Sequence, residues 1–215
     1  MRNRLITIVD LGRHVSFDIA TNALEQVIQN YAYAGHDVDV VTVRSSTPSV
    51  VRRFISQETD VLHLMGHAGK DPASGALGFE SDGESSRAID LDLREIADEI
   101  IDGGEPIRAS AIVADGCSTR SAAWRAAIRD SIVREVTYVG TTTAIGWDDS
   151  MMFSSNFYAR LLRKRVPRSG FASWASDCVD SVATAATQAR LPSRFRGEVL
   201  KPSPRALDSL ATYGK

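Results

Sequence analysis

The chain has 215 residues, 43% of them hydrophobic and 24% charged, and a formal net charge of −2 at pH 7. This length favours one compact domain, and this composition excludes a disordered or fibrous chain. A charge so near zero gives no general electrostatic reason to bind nucleic acid or an anionic membrane. The first apolar stretch is too short for a signal peptide, and no window approaches the length of a membrane span, so we expect a cytoplasmic protein.

Strand-like and helix-like segments alternate along the chain, which is the pattern of a mostly parallel sheet with helices on both faces. The first predicted strand ends at Asp10, and the others lie at 38–43, 60–67, 109–115 and 136–142. The last three are nearly continuous apolar runs, as expected for strands that are covered on both faces. The sequence therefore predicts an α/β fold.

The segments around these strands are also predicted to fold locally. They are a hairpin at 75–91 with the polar tip "SDGESS", and helices at 18–34, 47–57, 92–102, 148–165 and 170–190. The last segment, 191–215, is basic and contains prolines, so we expect a loosely attached C-terminal tail with at most one short helix after a domain of residues 1–190.

Two residues that can carry chemistry fall at the carboxyl ends of predicted strands. His67 closes the third strand in "DVLHLMGH", and Cys117 follows the fourth in "IVADGCSTR". Ligands of open α/β sheets bind at this edge, so neighbouring strands would bring the imidazole and the thiol into one crevice. A nucleotide-binding domain is a weaker interpretation, because the chain lacks a glycine-rich first loop and "GHAGKD" has Asp71 where a phosphate loop needs a hydroxyl.

Two further residues have plainer interpretations. Cys178 lies inside a predicted helix, where a free cysteine is typical of a small core residue. His63 lies four residues before His67 and on the same side of the strand, so a metal pair is conceivable. No Cys, Asp or Glu at ligand spacing accompanies them within the strand, so we expect His63 to be a packed or orienting residue, with no metal and no cofactor.

A resemblance to a known family rests on four stretches: "DVLHLMGHAG", "GALGFESDGESSRAIDLDLREIADEI", "IVADGCST" and "YVGTTTAIGWDDSMMFSSNFYARLL". In this order they resemble the caspase-fold cysteine peptidases, most closely the CHAT branch, which is similar to caspases, metacaspases and separase. His67 lies 50 residues before Cys117. Caspases have a similar spacing, with their histidine about 50 residues upstream of the cysteine. The resemblance implies a three-layer sandwich with His67 and Cys117 as the catalytic dyad.

The chain departs from the family next to both members of the dyad. Ala68 follows the histidine where the family usually has glycine, and Asp115 and Gly116 precede the cysteine where caspases have Gln-Ala. Neither change removes a reactive group.

Physical chemistry agrees with a thiol nucleophile at this place. A helix with Ser118 or Thr119 as its N-cap would favour the thiolate of Cys117. His67 would act as general acid or base. Backbone N–H groups of Cys117 and of Ala68 or Gly69 would stabilise the oxyanion.

The expected substrate preference depends on Asp115, which strand alternation places on the same side as Cys117. Metacaspases resemble this chain in having aspartate there and accept arginine or lysine, whereas caspases have glutamine. A carboxylate pairs well with a guanidinium, so we predict cleavage after Arg or Lys. Asp10 is a predicted second acidic wall, and the loop through Trp147 and Asp148 is predicted to close the other side.

Other interpretations stay open at this point. Asp115 would instead cap the following helix or pair with an arginine such as Arg120. The leading function is a cysteine endopeptidase with a protein substrate and a separate activator or regulatory protein, and without a nucleic-acid or membrane partner. The alternative is a caspase-fold scaffold or signalling module that has no catalytic activity.

Overall fold

The computed structural model describes residues 3–12, 14–44, 48–70, 77–80, 89–191 and 194–213. The strands are β1 (Arg4–Asp10), β2 (Val38–Arg44), β3 (Thr59–Met65), β4 (His67–Lys70), β5 (Leu77–Glu80), β6 (Ile89–Asp92), β7 (Ala109–Asp115), β8 (Val136–Thr141) and β9 (Phe195–Leu200). The helices are α1 (Val15–Tyr33), α2 (Pro48–Ile55), α3 (Leu93–Ile101), α4 (Ala122–Ser131), α5 (Trp147–Leu161), α6 (Phe171–Gln188) and α7 (Pro204–Tyr213), with a 3₁₀ turn at Arg168–Gly170.

The central sheet has the strand order β2-β1-β3-β7-β8-β9 among the described residues. All its neighbouring strands are parallel except β8 and β9. Every residue of β3, β7 and β8 is buried, which is why these strands read as continuous apolar runs. The predicted mostly parallel sheet is confirmed, and so is the predicted adjacency of β3 and β7.

Helices cover both faces of this sheet and complete three layers. Leu62 and Leu64 of β3 pack in one core with residues of α2, α3 and α4. Val61 and Met65 of the same strand pack in a second core with residues of α1, α5 and α6. No helix in the described part of the chain is long and apolar enough to span a membrane.

A second sheet contains β4, β5 and β6, which pair in antiparallel fashion. The predicted hairpin is confirmed by the pairing of β5 with β6, and its polar tip lies outside the described residues. Phe79 of β5 meets Trp124 of α4 edge to face, with ring centroids 5.2 Å apart. This contact packs the small sheet against the helices on one face of the central sheet.

Two local predictions near the strand ends are wrong. β3 ends at Met65, and His67 is the first residue of β4 in the second sheet, because the chain bends at Gly66. Helix α4 begins at Ala122 with Ser121 as its N-cap, not Ser118 or Thr119. The Thr119 hydroxyl has other partners, since it accepts from Thr141 N at 3.0 Å and donates to the Ala114 carbonyl at 2.7 Å.

The expected loose attachment of the C-terminal segment is wrong for its described residues 194–213, although the predicted short helix is present as α7. Phe195–Leu200 forms β9, which pairs with β8 from Thr141↔Phe195 to Val136↔Leu200. Both end residues are buried, and α7 then packs against α3 and α4. The segment forms an edge strand in which the apolar residues at the two ends are buried and the residues between these ends are polar or partly exposed. Edge strands tolerate such polar residues, so composition alone does not reveal the strand.

Candidate active site

His67 and Cys117 lie at equivalent positions beyond two neighbouring parallel strands. Met65 of β3 is paired with Asp115 of β7, and each reactive residue follows its strand two positions later. Both line one cleft of about 270 Å³, together with Asp115 and Trp147. The fold therefore brings four of the sequence-predicted site residues to one place.

The two chain segments approach each other so closely that only glycine fits between them. Gly66 N donates to Asp115 O at 3.2 Å. A Cβ added at Gly116 would lie 2.6 Å from Ala68 Cβ and 2.9 Å from Gly66 O. The glycine before Cys117 is thus a condition for placing the cysteine next to the histidine segment.

A tight turn presents the thiol of Cys117, which is partly exposed. Ser118 adopts a positive φ of 55°, which is uncommon for a residue with a side chain. Its N–H donates to Thr143 O at 3.1 Å, and Arg120 N donates to Thr141 O at 2.9 Å. Cys117 Sγ lies 3.9 Å from Ile145 O. The segment that follows β8 therefore holds this turn and borders the thiol.

Buried hydroxyl groups fix the underside of the same turn. Thr119 Oγ1 donates to Ala114 O at 2.7 Å and accepts from Thr141 N at 3.0 Å. Thr141 Oγ1 donates to Gly116 O, and the Tyr138 hydroxyl donates to Thr119 O. Burial raises the pKa of Tyr138, so its hydroxyl stays a donor. Hydrogen bonds to β7 and β8 therefore fix the turn on both sides.

Asp115 is 3% exposed and is held by groups from α5 and β3. Its Oδ2 accepts from Ser150 Oγ and lies 3.5 Å from Ser154 Oγ and 3.3 Å from His63 Nε2. The Tyr158 hydroxyl lies 3.1 Å from His63 Nδ1. Burial raises the pKa of Tyr158, so we assign Tyr158 as donor to Nδ1 and Nε2–H as donor to the carboxylate. With this assignment both ring nitrogens of His63 have a hydrogen-bond partner.

The structure gives Asp10 a different place from the one predicted. Asp10 is not among the described residues that line the cleft. Its carboxylate accepts from Thr21 Oγ1 at 2.6 Å and from Gly12 N at 3.0 Å. Burial raises the pKa of this carboxyl. The group therefore stabilises the turn between β1 and α1 and does not form the predicted second acidic wall.

Three other predicted positions also lie outside the described lining: Asp148, Ala68 and Gly69. Asp148 is exposed in the first turn of α5, and the other two pair with β5 inside β4. Arg120 pairs with Glu198 at 3.1 Å and leaves Asp115 to other partners.

Cys178 and His63, for which the sequence predicts structural roles, both lie in the core. Cys178 is buried in α6, and burial raises its pKa to about 11. His63 is fully buried and orients Asp115, as expected from the sequence. No cluster of three or more His, Cys, Asp or Glu that could hold a metal occurs among the described residues.

The cleft also contains residues that the sequence analysis did not select, among them Phe17, Gly66 and Ser150. Ser150 and Ser154 are buried on one face of α5, four residues apart. A hydroxyl pair at this spacing on an apolar helix face is a signal that points to a buried polar partner. Phe17 carries no such signal, because an aromatic residue in an amphipathic helix is usually part of the core.

Comparison with solved structures reveals the same architecture in known proteins. A secreted C11 cysteine protease from Bacteroides thetaiotaomicron, solved with an irreversible peptide inhibitor, matches with a TM-score of 0.57 and 11% identity over 97% of this chain and 67% of its own. Separase from Saccharomyces cerevisiae, in its complex with securin, matches with a TM-score of 0.51 and 11% identity over 94% of this chain. The chain has a caspase-like fold.

This likeness is one of fold, because the identities are so low. The complex of the pro- and mature domains of Porphyromonas gingivalis RgpB matches with a TM-score of 0.50 and 12% identity over 95% of this chain. The chain spans 12% of the separase chain and 48% of the RgpB chain. No protein-family model and no curated sequence matches it. Membership of the CHAT branch stays a prediction.

Proposed function

We propose that this protein is a cysteine endopeptidase with Cys117 as nucleophile and His67 as general acid–base. The observation that carries the proposal is the position of the two residues, each two positions beyond a paired residue of adjacent parallel strands and both on one cleft. The first of the proteins compared above, which shares this fold, is a cysteine protease that was solved with a peptide inhibitor bound irreversibly.

The proposed reaction is acyl transfer through the thiol. Cys117 Sγ attacks the carbonyl carbon of the scissile bond, and His67 takes the thiol proton and delivers it to the leaving amine. The C–N bond breaks and an acyl-enzyme remains, which water then hydrolyses. The backbone N–H of Cys117, which lines the cleft, is the proposed donor to the oxyanion.

Labelling with a peptidyl electrophile tests the nucleophile and its partner. Wild-type protein should form a covalent adduct at Cys117, and Cys117→Ala should form none. His67→Ala should react at least about tenfold more slowly, because general acid–base assistance is lost. Cys178→Ala is the matched control and should react like the wild type, since the Cys178 thiol is buried with a raised pKa.

Two outcomes of this experiment would contradict the proposal. Undiminished labelling of Cys117→Ala would exclude Cys117 as nucleophile. A folded wild-type protein that forms no adduct with any peptidyl electrophile would favour the inactive scaffold or signalling module. Mass spectrometry of the intact adduct and of its peptides identifies the labelled cysteine in each case.

We further propose that the substrate residue before the scissile bond is Arg or Lys. Asp115 lines the cleft, and its partners among the described residues are Ser150, Ser154 and His63. A basic side chain that enters the cleft would meet this carboxylate in a partly desolvated site, where a charge-assisted contact is favourable. Trp147, 56% exposed, also lines this cleft and is the proposed aromatic wall of the pocket.

Fluorogenic peptides that differ only in this residue test the preference. Wild-type kcat/KM should be highest for Arg or Lys, and Asp115→Asn should lose about tenfold or more on basic peptides only, because a charge-assisted contact is removed. Asp148→Asn is the control, since this exposed carboxylate lies outside the described lining. Preference for Asp, or equal turnover of Arg and neutral peptides, would contradict the proposal.

A cytoplasmic location and a separate regulatory protein complete the proposal. Two of the proteins compared above were solved with a protein or prodomain in complex, securin with separase and the prodomain with RgpB. Affinity capture of the Cys117→Ala variant, with fractionation of the source cells, tests both statements.

A further inference from the structure

We propose that Phe17 is a positioning residue for the His67 imidazole, held in place by the turn between β1 and α1. This inference rests on the proposed role of His67. It assigns a function to a residue of α1 that lies far in sequence from both reactive groups.

The two rings are in direct contact. The Phe17 and His67 ring centroids lie 4.9 Å apart at an interplanar angle of 82°, which is a favourable edge-to-face geometry. His67 is exposed, so a single packed neighbour has a large effect on its rotamer. Both residues line the cleft together with Cys117. The Phe17 ring therefore limits the directions in which the imidazole can turn.

Gly12 provides the space in which Phe17 lies. A Cβ at residue 12 would be 2.1 Å from Phe17 Cδ2 and 2.2 Å from Cγ. No side chain fits at such distances, so the ring packs directly on the backbone of the turn. Any residue other than glycine at position 12 would push Phe17 away from His67.

Asp10 hydrogen-bonds both to the turn that contains Gly12 and to the helix that carries Phe17. Its carboxylate accepts from Gly12 N at 3.0 Å and from Thr21 Oγ1 at 2.6 Å. Thr21 lies one helical turn after Phe17 on α1, and Phe17 N donates to His14 O at 2.9 Å at the start of the helix. One buried carboxylate thereby fixes both the turn beneath the ring and the helix that carries it.

We expect the substitution Phe17→Leu to misalign the His67 imidazole without unfolding the protein. With Phe17→Leu the site keeps an apolar side chain, but the edge-to-face contact is gone and the imidazole spends less time directed at the thiol. We expect kcat to fall about tenfold with little change in KM, because misalignment of an acid–base group affects the chemical step.

Alkylation of Cys117 by iodoacetamide, measured as a function of pH, tests the positioning role without a known substrate. Phe17→Leu should slow the reaction about tenfold in the wild-type background and should have no further effect in a His67→Ala background. Gly12→Ala should reproduce Phe17→Leu. Ile19→Ala is the control on the same helix, since Ile19 is 50% exposed, and it should leave the rate unchanged.

The double-mutant comparison separates the possible outcomes. A wild-type rate profile in Phe17→Leu, or an equal loss in both backgrounds, would overturn the positioning role. If His67→Ala itself leaves the rate unchanged, the proposed catalytic function fails instead. In that case the NMR signal of the His67 ring still tests the contact: its shift should change in Phe17→Leu and not in Ile19→Ala, and an unchanged shift would overturn the inference.

Discussion

Asp10 ends β1 and Asp115 ends β7, the strands on either side of β3, and each is 3% exposed, yet their partners give them different roles. Asp115 receives hydrogen bonds from His63 and Ser150 and borders the cleft. Asp10 receives them from Thr21 and the Gly12 backbone. Both carboxylates can be selected from the sequence because each lies at the end of a predicted strand. This position does not indicate which one reaches the cleft, because the deciding partners lie on α1 and α5.

A pH-dependent comparison of Asp10 with Asp10→Asn tests the structural role. Burial raises the pKa of Asp10, so the folded chain binds a proton at this carboxyl more readily than the unfolded chain. The stability of the wild type relative to Asp10→Asn should therefore rise as pH falls through the raised pKa, and level off below the unfolded value of about 4. Urea unfolding of both proteins across this range gives the difference, and a constant difference would contradict the assignment.

At the scale of single elements, β9 shows how an edge strand differs from a tail. Its end residues Phe195 and Leu200 are buried, while Arg196 and Val199 are exposed. Phe195 stacks on Phe153 of α5 with ring centroids 4.0 Å apart. Arg194 O, next to this strand, accepts from Thr142 N at 3.0 Å in the segment that borders the thiol. The strand thus supports both the core and one wall of the site.

Substitution of Phe195 measures how firmly β9 is held. Phe195→Ala should reduce the free energy of unfolding by about 3–5 kcal/mol, because it removes a buried aromatic side chain and leaves a cavity. Val199→Ala on the same strand is the control and should cost under about 1 kcal/mol, since this side chain is 43% exposed. Equal and small effects of the two changes, measured by chemical denaturation, would mean that the segment is attached as loosely as its composition predicts.

At the scale of the whole molecule, the strands that are buried on both faces are the elements that the sequence predicts best. Strands β3 and β7 are recognisable in the sequence because burial on both faces makes them nearly continuous apolar runs. Their parallel arrangement follows from the alternation of strands with helices. His67 and Cys117 are identifiable because both follow such strands. The start of α4 at Ala122 is not, because three hydroxyl residues precede it and tertiary hydrogen bonds decide which of them caps the helix. Phe17 is not identifiable either, since its partner lies on another element.

His67 begins the antiparallel sheet, whereas Cys117 follows a strand of the central sheet. The distance between the proposed acid–base group and the proposed nucleophile therefore depends on how the two sheets pack together, and not on one strand or turn alone. Phe79 against Trp124 and Ala68 against Gly116 set that docking. A substitution that moves the small sheet would therefore change the position of His67 relative to Cys117 while both sheets keep their own strand pairing.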